Sequence, residues 1–187
     1  MTNLTKIWAL HISFALGFAL PALFAFQIYT HQVLPQNVAT WGMILLLDVI
    51  GLILVYKAGN EDPRIQWGWV TAAICIFAAI IFSENTLQWG WVETISLICC
   101  IASIALWQIK NAKWGLWPYM AAMYISFIPQ GVEYFEKPQP ETWWLWFGSM
   151  LACLFAIYGA KKYDFANLFI PFGAFVLNLL ILILVMR

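Results

Sequence analysis

Charge is what this chain has least of. Lysine, arginine, aspartate and glutamate together make up 10% of the 187 residues, nine basic against nine acidic. A soluble domain carries about 25%, because its surface must be wetted. The formal net charge of zero also removes the basic face of a nucleic-acid-binding domain. A disulfide framework is absent too. Cys75, Cys99, Cys100 and Cys153 lie inside apolar runs, with no CxxC spacing and no cysteine–histidine cluster, and read as small packing hydrophobes. No Walker loop, nucleophile elbow or metal-ligand spacing occurs, and the last apolar run holds no retinal-type lysine. No catalytic residue, metal ligand or cofactor is therefore assigned, and a rhodopsin is disfavoured.

What is abundant is apolar. Hydrophobic residues make up 64% of the chain and aromatics 18%, with a mean hydropathy of +0.81. Apolar runs of about 20 residues recur, each long enough at about 1.5 Å per residue to cross a hydrocarbon layer about 30 Å thick. The chain reads as an all-α integral membrane protein of seven spans, over about 7–29, 39–57, 66–83, 87–109, 114–135, 142–161 and 165–186. The breaks THQVLPQN, AGNEDPR, SENT, KNAK, EKPQPE and KKYD carry the Asn, Asp, Pro, Gly and paired charges that stop or cap helices. Loops this short predict that sequential helices pack as antiparallel neighbours. The first run is longer than a signal peptide's core and ends without a small-residue cleavage site, so it is expected to stay in the mature protein.

Tryptophan marks the same boundaries. Eleven of the twelve open a span, among them Trp41, Trp69 and Trp146, and only Trp107 lies near an end. Indoles favour the headgroup level, so these residues, including the doubled QWGW of 66–69 and 88–91, are expected as interfacial anchors. Lys6, Lys57, Arg64, Lys110, Lys113, Lys161 and Lys162 fall on the side of the N-terminus, with Lys137 and Arg187 opposite. The positive-inside rule then predicts a cytoplasmic N-terminus and an external C-terminus.

The chain carries a faint internal duplication. Thr40-Trp41, Tyr56-Lys57-Ala58 and Asp62 are matched by Thr142-Trp143, Tyr158-Gly159-Ala160 and Asp164 at a constant offset of 102 residues. FALPALFAF around Pro21 parallels SFIPQGVEYF around Pro129. Two three-helix units, 1–84 and 113–187, would then be joined by a linker helix over 85–112, within one membrane domain. Four crossings separate corresponding helices, so the units are parallel rather than inverted.

The stretch Tyr124–Leu180 resembles the PQ-loop triple-helix bundle of the SWEET and SemiSWEET sugar transporters. The resemblance rests on FIPQ at Phe127–Gln130, a Trp-opened second helix ending in Tyr158-Gly159, and Asn178 in the third helix. In the first half Ile76 stands at the place of Asn178. The resemblance implies two bundles enclosing a mid-membrane substrate site, PQ prolines acting as hinges, and an Asn of the third helix on the substrate. Pro21, Pro129 with Gln130, and Pro171 are the hinge candidates, since each proline interrupts hydrogen bonding within its span.

Few polar groups lie inside the bilayer. Asp48, near the middle of MILLLDVIGLILV, costs about 2.5–3.5 kcal/mol there on insertion scales. It reads as a protonatable group lining a cavity or as a structural carboxyl joining helices, with Gly51 giving its face a close-packing groove. Asn178 reads as a ligand contact or an interhelix tie. Glu93, His11 and Gln27 read first as packed, hydrogen-bonded groups.

The favoured function is secondary transport of a small polar solute by alternating access, proton-linked through Asp48, with Asp48 and Asn178 as the site. A non-transporting binding or assembly subunit or receptor, and a membrane-embedded enzyme acting on a lipid or isoprenoid, are the alternatives. The expected partners are the lipid bilayer and the solute, with no nucleic acid, and association into a homo-oligomer is left open.

Overall fold

The structure, a computed structural model, describes residues 3–30, 32, 37–83 and 87–187. Its helices in chain order are α1 (Asn3–Tyr29), α2 (Val38–Lys57), α3 (Arg64–Phe82), α4 (Trp91–Ile109), α5 (Ala112–Ser126), α6 (Ile128–Glu136), α7 (Trp143–Gly159) and α8 (Phe165–Val185), with one 3-10 turn at Pro140–Thr142. Six of them (α1 to α4, α7 and α8) are long and apolar enough to cross a membrane. Large apolar side chains such as Leu4, Phe26, Ile74, Ile101 and Ile183 lie exposed, whereas Ser13, Thr40, Ser96 and Ser103 are buried. Apolar outside and polar inside is the arrangement a bilayer demands, and the protein is a multi-pass membrane protein.

The polar breaks read from the sequence start helices where the structure describes them. The side chain of Asn37 accepts from Ala39 N (3.0 Å) at α2, and that of Asn111 accepts from Lys113 N (3.1 Å) at α5. Glu93 Oε2 accepts from Gly90 N (2.9 Å) at α4. Each satisfies an otherwise orphaned backbone N–H of a first turn. After α2 the chain reverses at Gly59, whose φ of +101° is open to glycine without a Cβ penalty. Residues 31, 33–36 and 84–86, parts of two expected breaks, lie outside the described residues.

Asp164 caps α8, its Oδ1 accepting from Asn167 N (3.1 Å) and Asn167 Nδ2 (2.6 Å). Those bonds, the Asn167 side chain foremost, hold its carboxyl below the ordinary value of 3.8. A depressed folded-state pKa contributes stability above the ordinary value and loses it as pH falls through the depressed one. Asp164→Ala is expected to lower stability by about 1 kcal/mol at neutral pH. Melts of both proteins in detergent should converge as the medium is acidified below the carboxylate range.

Two expectations are corrected. The fifth span over 114–135 is two helices, α5 and α6, divided at Phe127. Pro129 lacks an N–H and clashes with a preceding turn, so it is accommodated in the first turn of a new helix. By contrast, α1 and α8 continue through Pro21 and Pro171, each of which removes one backbone hydrogen bond without ending its helix. Nor are all sequential helices close neighbours. The pairs α2–α3, α4–α5 and α7–α8 pack together, but α1 packs chiefly on α3 and α7. Further contacts run between α2 and α5, with lesser ones from α8 to α5 and α6.

Small residues and hydroxyls allow these approaches. Ser13 Oγ donates to Ala152 O (2.7 Å) between α1 and α7, and Ser103 Oγ donates to Gly115 O (2.7 Å) between α4 and α5. Thr40 Oγ1 donates to Glu93 Oε1 (2.6 Å), tying the starts of α2 and α4. Such bonds hold helices together where lipid offers no hydrophobic drive between them.

Candidate functional site

Five long helices and α5 surround a cavity of about 100 Å³. Helix α1 contributes Pro21, and α2 contributes Trp41, Ile44 and Asp48. From α3 come Trp69, Ala72 and Ile76, from α5 Met123, and from the junction of α5 and α6 Phe127. Helix α7 adds Leu145, Trp146 and Ser149, and α8 adds Ala174, Leu177 and Asn178. Asp48 and Asn178, far apart in sequence, thus border one space, and Pro21 shares it.

Asp48 is 8% exposed. Its carboxyl makes no hydrogen bond or ion pair among the described residues. The lining holds no lysine, arginine or histidine to neutralise it. Its place is fixed by neighbours on its own helix. Leu47 is fully buried in a cluster with Leu54, Leu116 and Tyr119, which turns the next residue toward the cavity. One turn on, Gly51 sits against Tyr119 of α5, so close that a Cβ there would overlap the phenol. Gly51 is therefore the close-packing position that the sequence suggested. Asn178 donates from Nδ2 to Ala174 O (2.7 Å) on its own helix, which leaves Oδ1 without a partner among the described residues.

The other hinge candidates lie elsewhere. Pro129 borders an outer groove beside Trp91, Val92 and Glu133. Gln130 is buried, its Nε2 without a hydrogen-bond partner among the described residues, and lies close to the Tyr134 hydroxyl. Pro171 borders a second recess of about 10 Å³ with Asn60, Gln66 and Asn167, room for about one water. Glu93 is an N-terminal cap rather than a cavity group.

Three tryptophans expected as anchors line the cavity instead. Trp41 and Trp146 are buried, at 6% and 5% exposure, and the Trp69 indole stands over Gly17 of α1. Trp8, Trp67, Trp89 and Trp91 are exposed, as anchors would be. In QWGW the tryptophans are two residues apart, which on a helix places them on nearly opposite faces. Trp67 therefore faces outward and Trp69 inward.

Beyond the cavity, each end is packed. Toward the starts of α2 and α7 lies an apolar cluster including Phe24, Trp41, Ile80, Tyr134 and Trp146. At the lysine-rich end, Ile65 packs with Ala152, Cys153 and Ala156. The loops above that layer are joined by Lys162–Glu61 (2.5 Å) and Lys161–Asp62 (3.9 Å), while Arg64 pairs with Asp62 (2.9 Å). Lys162, through its hydrogen bond and its charge, holds the Glu61 carboxyl below its usual range, and Glu61 raises the Lys162 ammonium.

Among the described residues no group of three or more His, Cys, Asp or Glu side chains could hold a metal ion. Comparison of the chain with protein-family models, curated proteins and solved structures finds no match.

Proposed function

We propose that this protein is a secondary transporter that moves a small polar solute by alternating access, through two parallel three-helix bundles joined by a linker helix. The observation that carries the reading is the convergence of Asp48 and Asn178 on one cavity between α2 and α8. A polar pair bordering one space, with the Asp48 carboxyl and Asn178 Oδ1 making no hydrogen bond among the described residues, suits a solute path better than a static helix tie.

The contact pattern supports the two-bundle arrangement, with α5 and α6 together as the fifth span. In the first half α3 is packed by both α1 and α2; in the second, α8 is packed by α5 and α7. Across the halves α1 meets α7, and α2 meets α5. Exchanging α1 with α5, α2 with α7 and α3 with α8 maps that pattern onto itself, as a two-fold axis along the membrane normal requires. The lining follows the same relation. Ile44 and Trp146, Ala72 and Ala174, and Ile76 and Asn178 each border the cavity and stand 102 residues apart.

Rocking of the units 1–84 and 113–187 about this cavity, with Pro21, Pro129–Gln130 and Pro171 as hinges, would alternate its exposure. The test is uptake into proteoliposomes, compared with protein-free vesicles, of a panel of labelled sugars, amines and amino acids. Uptake that saturates supports the reading; no uptake of any panel member points to a binding or assembly subunit.

Orientation has its own measurement. With the N-terminus cytoplasmic, Glu141→Cys in a chain stripped of its four thiols should react with an impermeant maleimide in intact cells. Reaction only after permeabilisation would reverse the orientation. Glu141 is chosen because it is exposed, whereas the nearby Gln139 is buried and donates to Glu133 Oε1 (3.2 Å).

A further inference from the structure

The chemistry of the cavity narrows the class of solute. Its lining combines one acidic side chain with four large aromatics, Trp41, Trp69, Phe127 and Trp146. Ser149 and Asn178 are the other polar side chains that border it. Asp48 is more than nine-tenths buried, and its carboxyl has no hydrogen-bond or ion-pair partner among the described residues. A buried carboxylate without a counter-charge is unfavourable unless a cation meets it.

Three ligand classes fit poorly. A polyol needs several directional partners to replace its hydration, and here most of the wall is indole, phenyl or aliphatic. A bare divalent cation takes six or more oxygens in the case of calcium, and magnesium needs an octahedron, whereas one carboxyl, one hydroxyl and one amide border this space. An anion would meet an uncompensated acid. A compact cation with an apolar body fits both halves of the lining, since its charge meets Asp48 and its body meets aromatic walls that attract cations in their own right. The Phe127 and Trp146 rings stand edge to face, with centroids 6.1 Å apart and planes at 83°, and so form a corner of the wall rather than a flat side.

We infer that the cavity binds a small monovalent organic cation, an amine or quaternary ammonium, with Asp48 as its counter-charge and the cavity tryptophans as its walls. The inference rests on the transport reading for its purpose but not for its test, because binding can be measured without turnover.

The experiment titrates the full-length protein in nanodiscs by calorimetry. The probes are choline, tetramethylammonium, dimethylbutanol as the neutral carbon isostere of choline, and glucose. Choline is expected to bind at least about tenfold more tightly than its neutral isostere, a margin within reach of one desolvated cation–aromatic contact added to an ion pair. Asp48→Asn should lose that margin while melting no lower than the parent. Trp146→Leu should weaken choline about tenfold, and Trp146→Phe should recover part of the loss. Three results would overturn the inference: the isostere binding as well as choline, an Asp48→Asn protein retaining the preference for the cation, or no binding of either cation by the folded parent. Glucose uptake by vesicles whose protein ignores choline would remove the inference and leave transport standing. Choline binding without uptake of any solute would do the reverse.

Discussion

Asp48→Asn is expected to abolish uptake driven by a pH gradient while leaving the protein folded. Asn keeps the shape and most of the hydrogen-bonding capacity of the carboxyl but cannot exchange a proton. Since Asp48 makes no hydrogen bond or ion pair among the described residues, the change deletes no tie between helices, and the melt should not fall. Tyr119, whose hydroxyl lies against Gly51, is the titratable neighbour on the packing helix, and Tyr119→Phe serves as the control that should keep the gradient dependence. Asp48→Leu tests the same point more severely. Were the carboxyl a structural tie, its loss would strand polar partners and destabilise the bundle. With no partner to strand, the Leu protein should fold and be inactive. Proteoliposome uptake with and without a pH gradient, beside a thermal melt of each variant, is the measurement. An Asn variant as active and as pH-sensitive as the parent would end the case for proton coupling through this residue.

Gly115→Ala should give a large loss of stability for a single-methyl change. A Cβ at Gly115 of α5 would lie 2.7 Å from the Ser103 carbonyl oxygen of α4 and 3.1 Å from Leu54 of α2. The first neighbour is backbone, so it cannot swing away, and relief requires the two helices to separate. Overpacking of this kind costs about 1–3 kcal/mol. Separation would also lengthen the bond from Ser103 Oγ to Gly115 O, now 2.7 Å. Ser103→Ala removes that bond without a clash and should cost about 0.6 kcal/mol, the usual worth of such a tie in a bilayer. Melts in detergent should rank the two variants in that order, and a Ser103→Ala protein less stable than Gly115→Ala would show that the bond, not the contact, governs the crossing.

The helices were legible from composition because membrane spans announce themselves by length and hydropathy. The break between α5 and α6 was not, although Pro129 marked its position. A proline seven residues into a helix, like Pro118 of α5 or the interior Pro21 and Pro171, does not always break it, and tertiary packing decides which one does. Asp48 stood out because an acid in mid-span needs an explanation, and Asn178 because it is an amide deep inside the last apolar run. The cavity tryptophans stayed hidden for a physical reason. An indole near a helix start satisfies the interface and a binding wall equally well, and only the facing of the helix tells Trp69 from Trp67. Helix order was equally silent, since loops of a few residues allow either a neighbour or the next helix but one to lie alongside.

The ion pairs at the lysine-rich end give the molecule a seam of two different strengths. Glu61–Lys162 joins exposed side chains, and such a pair weakens as mobile ions gather around it, with a screening length of about 8 Å at physiological ionic strength. The contacts of α1 with α7 and of α2 with α5 are made largely by uncharged surfaces and have no such dependence. Ionic strength on that side of the membrane therefore acts on the grip between the loops alone, leaving the packed interior of the seam as it was.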